Sequence, residues 1–291
     1  MEVSGKTKVF CVIGDPIEHS LSPMMHNAAF RHSKIDAVYV AFKVEKGTLE
    51  DAVKGMHSFG ICGMNVTTPH KTAIIKYLDG VDTVAEFVGA VNTVLNANGK
   101  LLGFNTDGIG ALRALEENGV KTKGKRVLLL GAGGAGRAIA FQLAQEADEL
   151  IILNRDANKA RVLAGALRKR FNKRVVGNDL TPNVLKNWIE DVDVLINATS
   201  VGMHPHRDHT LVDKSLLKPE LTVMDIVYNP VKTKLLKDAK SVGAKVIYGV
   251  EMLVYQGAAS FEIWFNQSAP VEVMKEAVLE KLQAGGLSLE Q

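Results

Sequence analysis

Cysteine is scarce in this chain of 291 residues: there are two, Cys11 and Cys62, with no CxxC spacing. That excludes a disulfide framework and a zinc site, and both are expected as small, reduced, buried residues in apolar stretches. Long hydrophobic runs are missing as well. No stretch reaches the roughly 18 apolar residues needed to cross a bilayer. The opening MEVSGKTKVF holds no apolar run of the signal-peptide kind, so the expectation is a soluble, cytoplasmic protein. No His/Cys/Asp cluster has ligand spacing, so no metal is expected. Charge of one sign is also lacking: 35 Lys and Arg stand against 32 Asp and Glu. A net +3 is too little to mark a nucleic-acid binder. Yet residues 121–175 hold thirteen Lys and Arg against four Asp and Glu, a local +9 that leaves −6 for the rest. An anionic partner belongs with that segment.

With 46% apolar and 23% charged residues the composition is globular, which excludes a disordered or fibrous chain. The length suits about two domains. Short β-rich runs recur: Val9–Ile13, Ala37–Phe42, Gly60–Val66, Arg126–Leu130, Glu149–Leu153, Val194–Asn197, Thr222–Ile226 and Lys245–Tyr248. Helical stretches such as Ile109–Asn118 and Arg137–Ala147 separate most of them, which predicts an α/β fold with a mostly parallel sheet. One pair differs. Val91–Leu95 and Leu101–Phe104 flank Asn98-Gly99, a hairpin signal that predicts antiparallel pairing. A domain boundary is expected near residues 105–125.

The strand ending at Leu130 runs into Gly131-Ala132-Gly133-Gly134-Ala135-Gly136 and then a helix. GxGxxG between strand and helix is the dinucleotide fingerprint. Gly131 permits the tight turn, Gly133 admits a pyrophosphate to the backbone, and Gly136 lets helix and strand pack closely. The helix N-terminus then faces the phosphates. At the end of the next strand an NAD site carries Asp or Glu for the ribose 2′-hydroxyl. Here Asn154-Arg155 stands there, with Lys159 behind. A cation in that place fits a 2′-phosphate, hence NADP. Asp156 adds opposing charge.

Three polar clusters precede this unit. In His19-Ser20-Leu21-Ser22-Pro23, Ser22 reads as helix N-cap with Pro23 at N1. Ser20 is left over, and two hydroxyls beside a helix start suit a small carboxylate. In Asn65-Val66-Thr67-Thr68-Pro69-His70-Lys71, Thr68-Pro69 again reads as cap and N1. Lys71 then falls at N3, where the helix dipole opposes a cation and suits an acid–base group. His70 reads as packing or surface. In Asn105-Thr106-Asp107, Asp107 reads either as a helix N-cap or as the carboxylate that holds Lys71. Asn92 is a polar residue on an otherwise apolar strand.

Together these segments resemble the shikimate dehydrogenase family. The likeness runs from about residue 10 to about residue 265 and is carried by seven ordered blocks. They are 14–23, Asn65-Val66-Thr67 with Pro69 and Lys71, 89–93, 105–107, 131–136, 197–203 and 251–257. The resemblance implies two domains: an N-terminal three-layer α/β substrate domain (1–106 plus 249–291) and a Rossmann-type NADP-binding domain (107–248). It implies reduction of 3-dehydroshikimate to shikimate with NADPH, in the route to aromatic amino acids. Lys71 and Asp107 would be the catalytic pair. Ser20 and Ser22 would bind the substrate carboxylate, with Thr67, Asn92, Asp107 and Gln256 on the ring hydroxyls and Tyr228 lining the pocket. Thr199, Gly249 and Met252 would join the glycine turn, Asn154, Arg155 and Lys159 on the cofactor. The family's NADP enzymes commonly have Asn-Arg-Thr or Asn-Arg-Ser where this chain has Asn154-Arg155-Asp156. That departure leaves open a quinate/shikimate dehydrogenase using NAD. A non-catalytic sensor of the same ligand is the reading from another class, and the presence of both Lys71 and Asp107 speaks against it. The partners expected are the small-molecule substrate alone, in a monomer or homodimer, with neither nucleic acid nor membrane.

Overall fold

A computed structural model describes residues 3–284. By internal contacts the chain forms two units: one runs to Asp107 and resumes at Val254, the other runs from Gly108 to Leu253. Residues 285–291 of the expected return segment lie outside the described residues.

The first unit opens with β1 (Lys8–Gly14), buried from Phe10 onward, as a strand covered on both faces must be. Then come α1 (Ser22–His32), β2 (Ala37–Lys43), α2 (Leu49–Ser58), β3 (Gly63–Val66), β4 (Gly80–Val81), α3 (Thr83–Val88), β5 (Thr93–Ala97) and β6 (Lys100–Phe104). The sheet order is β2-β1-β3-β5-β6-β4. β1 is parallel to β2 and β3, while β5 is antiparallel to β3 and β6. The hairpin turn has φ of 54° at Asn98 and 91° at Gly99, the paired left-handed geometry that an Asn-Gly turn supplies. Alternation along β1 divides the core. Cys11 and Ile13 join Val53, Met56 and Ile74 on one face. Phe10 lies on an aromatic cluster with Phe30, Trp264 and Phe265, centroids 5.0–5.3 Å apart.

The second unit holds α4 (Asp107–Glu117, its first residue in the first unit), β7 (Arg126–Leu130), α5 (Gly134–Glu146), β8 (Glu149–Asn154), α6 (Ala157–Phe171), β9 (Arg174–Asp179), α7 (Pro182–Ile189), β10 (Val194–Asn197), β11 (Thr222–Asp225), α8 (Lys234–Ser241) and β12 (Lys245–Ile247). All strand pairs are parallel, in the order β12-β11-β10-β7-β8-β9. That is the doubly wound dinucleotide-binding order, and it reverses between β7 and β10. Buried Glu149 begins β8 between its register partners, with Arg126 Nε at 2.8 Å and Arg174 Nε at 2.7 Å. Two of the thirteen cations of residues 121–175 are thus spent on a structural ion triad. Last come α9 (Gly249–Phe265), which crosses the unit boundary, and α10 (Val271–Ala284).

Several local expectations change. The run Gly60–Val66 yields only β3, because Gly60 has φ +64° at the turn leaving α2. β4 and β9 were not legible as strands: one has two residues, the other reads Arg-Val-Val-Gly-Asn-Asp. Cys62 is half-buried rather than buried, whereas burial pushes the Cys11 thiol up to about 12. Among the described residues no helix is long and apolar enough to cross a membrane.

Candidate active site and dinucleotide site

Sheet topology gathers the polar clusters of the first unit. β1 and β3 are parallel neighbours, so residues 14–23 and 67–71 leave the same end of the sheet. β5 runs antiparallel to β3, so Asn92, just before β5, lies at that end too. β6 runs antiparallel to β5 and delivers Asn105-Thr106-Asp107 there. Gly14 and Thr67 are in tight contact, since a Cβ on Gly14 would stand 2.4 Å from the Thr67 methyl.

Lys71 Nζ lies 2.6 Å from Asp107 Oδ2. The lysine side chain is 26% exposed and the carboxylate 7%, so the cation faces outward from a buried partner. Asn92 Nδ2 donates to Asp107 Oδ1 at 2.8 Å and lies 2.9 Å from Thr106 Oγ1 and 3.3 Å from Gln256 Oε1. Asn92 Oδ1 accepts from the Thr106 N–H and from Thr93 Oγ1, so the amide is oriented from both ends. The Asp107 N–H goes to Asn105 Oδ1, and the Val91 N–H to the Lys71 carbonyl. A buried net continues through Thr93, Ser260 and Asn65 to the Tyr39 hydroxyl, which donates to Asn65 Oδ1 at 2.6 Å. Lys71, Asn92, Asp107 and Gln256 are brought together.

Local structure corrects two readings and decides a third. Lys71 is not in an α-helix: Thr68–Thr72 form turns and a short 3₁₀ segment begins only at Ala73. Lys71 stands in no helix of its own, and Asp107 is what holds it. Ser22 is not an N-cap but the first residue of α1; its N–H donates to Ser20 Oγ at 3.3 Å, so Ser20 supplies the capping oxygen. Asp107 is likewise the first residue of α4, and its carboxylate serves Lys71 and Asn92 instead of capping. His70 is packing: it is buried, with Nε2 2.7 Å from the Val44 carbonyl oxygen. Asn65, Thr93, Thr106 and Ser260 were not singled out from the sequence. Asn65, Thr93 and Thr106 lie inside the ordered motif blocks without a role of their own, and Ser260 lies outside every block.

In the second unit the glycine turn leaves β7 beside the point where strand order reverses. Gly131 has φ +108°, which favours glycine, and a Cβ there would stand 2.9 Å from the Ala198 carbonyl oxygen. A Cβ on Gly136 would stand 2.2 Å from the Gly131 carbonyl oxygen. Gly133 and Gly134 differ: a Cβ on either meets nothing within 4 Å. Gly133 is the N-cap of α5 and offers no side chain to the helix N–H groups. Close packing at 131 and 136 with open backbone at 133 and 134 fits a pyrophosphate on the helix N-terminus. Ala135 is the second residue of α5, and Ala132 lies within the glycine turn. Asn154 braces it, accepting the Ala132 N–H at 3.0 Å and donating to the Asp156 carbonyl.

Arg155 and Lys159 are exposed at the end of β8 and the start of α6. Asp156 is the N-cap of α6, its carboxylate accepting the Asn158 and Lys159 N–H groups. One oxygen, Oδ1, takes both N–H groups, while Oδ2 lies 3.9 Å from Lys159 Nζ. Thr199 follows β10, with Oγ1 donating to Asn197 Oδ1 at 2.7 Å and accepting the Val201 N–H. Gly249 has room only for hydrogen, a Cβ standing 2.5 Å from the Val227 carbonyl oxygen, and Met252 is buried one turn on. Tyr228 belongs to this unit; burial pushes its phenol above the usual range. Burial likewise pushes the Asp225 carboxyl up to about 6, against hydrogen bonds from Thr233, Val227 and Asn197. Among the described residues no group of three or more His, Cys, Asp or Glu could hold a metal ion.

Family models match in three stretches: the shikimate dehydrogenase substrate binding domain at residues 12–94, shikimate / quinate 5-dehydrogenase at 113–230, and the shikimate 5′-dehydrogenase C-terminal domain at 249–279. The NADP(+) shikimate dehydrogenase of Methanopyrus kandleri is 48% identical over 97% of this chain and 99% of its own. That of Methanocaldococcus jannaschii is 46% identical over 96% and 99%. A crystal structure of shikimate 5-dehydrogenase from Listeria monocytogenes, in complex with shikimate and NAD, superposes with a TM-score of 0.89 at 40% identity, covering 95% and 98%. On these three grounds, with the ordered motifs and the two units they occupy, the chain belongs to the shikimate dehydrogenase family.

Proposed function

We propose that this chain reduces 3-dehydroshikimate to shikimate with NADPH, supplying shikimate for aromatic amino acid synthesis. The observation that carries the reading is the Lys71–Asp107 pair, 2.6 Å apart and braced by Asn92. When bound, the dinucleotide supplies hydride to the C3 carbonyl carbon. The open turn at Gly133 and Gly134, with Ala132, Ala135 and the Thr199 loop, would hold its pyrophosphate; Gly249 and Met252 would flank the nicotinamide. Arg155 and Lys159 would meet the 2′-phosphate, which two exposed cations beside a carboxylate already engaged as a cap support. The NADP(+) names of the curated relatives agree.

The remaining work falls to the first unit. Negative charge develops on the C3 oxygen during reduction, and the Lys71 ammonium stabilises it and delivers the proton. Asp107, fixed by Asn92, aims that ammonium and accepts a ring hydroxyl. Thr67 and Gln256 hold the other hydroxyls, and Ser20 and Ser22 take the carboxylate at the start of α1.

The test is a comparison of kcat/KM for shikimate and for quinate, each with NADP+ and NAD+. The reading expects shikimate with NADP+ to lead clearly. Equal use of quinate, or preference for NAD+, overturns the specificity; ligand binding without any turnover overturns the enzyme.

A further inference from the structure

Asp225 closes β11 with none of its surface exposed, and no step above uses it. Its carboxylate gathers three donors from three segments: Asn197 Nδ2 at 3.0 Å, the Val227 N–H at 3.1 Å and Thr233 Oγ1 at 2.7 Å. Asn197 is its register partner at the end of β10. Thr233 is the N-cap of α8, accepting the Leu236 N–H. A buried carboxylate is costly unless so satisfied, and an apolar residue would close a strand end as well.

What an apolar residue could not do is give the Asn197 amide its nearer acceptor; Nδ2 also donates to the Val201 carbonyl, at 3.3 Å. Asp225 is acceptor-only when ionised, so it turns Nδ2 toward itself and leaves Oδ1 pointing away. That Oδ1 accepts both the N–H and the hydroxyl of Thr199, at 3.1 and 2.7 Å. The Thr199 methyl and the Ala198 carbonyl oxygen then stand 3.0 and 2.9 Å from where a Cβ on Gly131 would be. A chain of oriented bonds thus runs from Asp225 through Asn197 to the wall of the glycine turn, at the carboxyl end of β10. In open α/β sheets ligands bind at that end, where strand order reverses.

We infer that Asp225 is a positioning residue for dinucleotide binding: through Asn197 it fixes the Thr199 loop against the Gly131 turn. This rests on the reading that this turn and Thr199 hold NADP. Asp225→Asn keeps shape and volume but turns one of the two acceptor oxygens into a donor, so the present bonds from Asn197 and from Thr233 cannot both persist.

The experiment is fluorescence titration of NADPH into the enzyme without substrate, alongside steady-state kinetics and thermal unfolding. Asp225→Asn is expected to weaken NADPH binding about tenfold, the size of one net hydrogen bond. KM for shikimate stays unchanged. Asn197→Ala gives the same selective loss, and the double variant is no worse than either single one, because both break one chain. Unchanged NADPH affinity with only a lower Tm overturns the proposal, as does an equal loss of both ligands. Thr233→Val removes one of the three donors; it is expected to weaken NADPH less, and it decides by the same criterion if Asp225→Asn does not fold. Gly133→Ala separates this from the cofactor reading. If Gly133→Ala leaves NADPH binding intact, the cofactor site is elsewhere; if it weakens binding and Asp225→Asn does not, only the positioning role fails.

Discussion

Asn92 Nδ2 stands 2.8 Å from Asp107 Oδ1, while the other oxygen of that carboxylate takes Lys71 Nζ at 2.6 Å. The asparagine is 2% exposed, so its bonds are not shared with bulk water. Asn92→Ala therefore leaves buried Asp107 Oδ1 and the Thr106 N–H short of a partner. The expected cost is about 1–3 kcal/mol in urea unfolding, with a higher KM for shikimate. A variant as stable as the parent, with the same KM, would remove Asn92 from this role.

The glycine turn separates fold from ligand. Gly136→Ala sets a Cβ against the Gly131 carbonyl, where backbone must move, and should cost about 1–3 kcal/mol of stability. Gly133→Ala meets nothing within the protein and should melt like the parent, yet bind NADPH more weakly. The two variants are compared by thermal unfolding and NADPH titration.

Asp156 offers a test of cofactor choice. Asp156→Ala removes the cap of α6 and should cost about 1 kcal/mol. Asp156→Thr keeps a capping oxygen while removing a negative charge beside Arg155, so Tm should hold and KM for NADP+ should fall. Arg155→Ala should raise KM for NADP+ with no change for shikimate. If KM for NADP+ is the same in all three, residues 155–156 do not meet the 2′-phosphate.

His26 gives a pH signature. It is fully buried, stacked on Tyr39 with centroids 4.5 Å apart, and neither ring nitrogen has a partner. Burial lowers its pKa from 6.5 to about 3. Between those values the unfolded chain holds the extra proton, so stability falls as pH drops below 6.5. Asp225, raised to about 6, works in the opposite direction: its contribution is full below 3.8 and is lost as pH rises toward 6. The comparison is therefore with His26→Leu. Relative to that variant the wild type should lose about 1.4 kcal/mol per pH unit below 6.5. Parallel curves would mean that His26 is protonated or solvated in the folded state.

Legibility in the sequence followed the physical scale of each signal. Strands β7, β8 and β10 are runs of branched apolar residues and announce themselves, as does the Asn98-Gly99 hairpin. Motif residues such as Lys71, Asp107 and the glycines stand out because their types and spacing make up the ordered blocks of the family resemblance. What failed was cap geometry. Ser-Pro and Thr-Pro look alike in sequence, yet one opens α1 with the serine inside the helix and the other opens only turns. The Asn65–Thr93–Ser260 net was hidden for a different reason: its partners are up to 195 residues apart, and no local pattern encodes such pairing.

The most direct measurement is shikimate-dependent NADPH formation by wild type and Lys71→Ala, followed by absorbance under saturating substrates. Loss of the group that takes the hydroxyl proton in this direction, and returns it in the reductive one, should lower kcat by about 10²–10⁴-fold. KM for shikimate should stay within a few-fold, because Ser20, Ser22, Thr67, Asn92 and Gln256, proposed to hold the ligand, are unchanged. A Lys71→Ala enzyme with near-normal kcat would contradict the account.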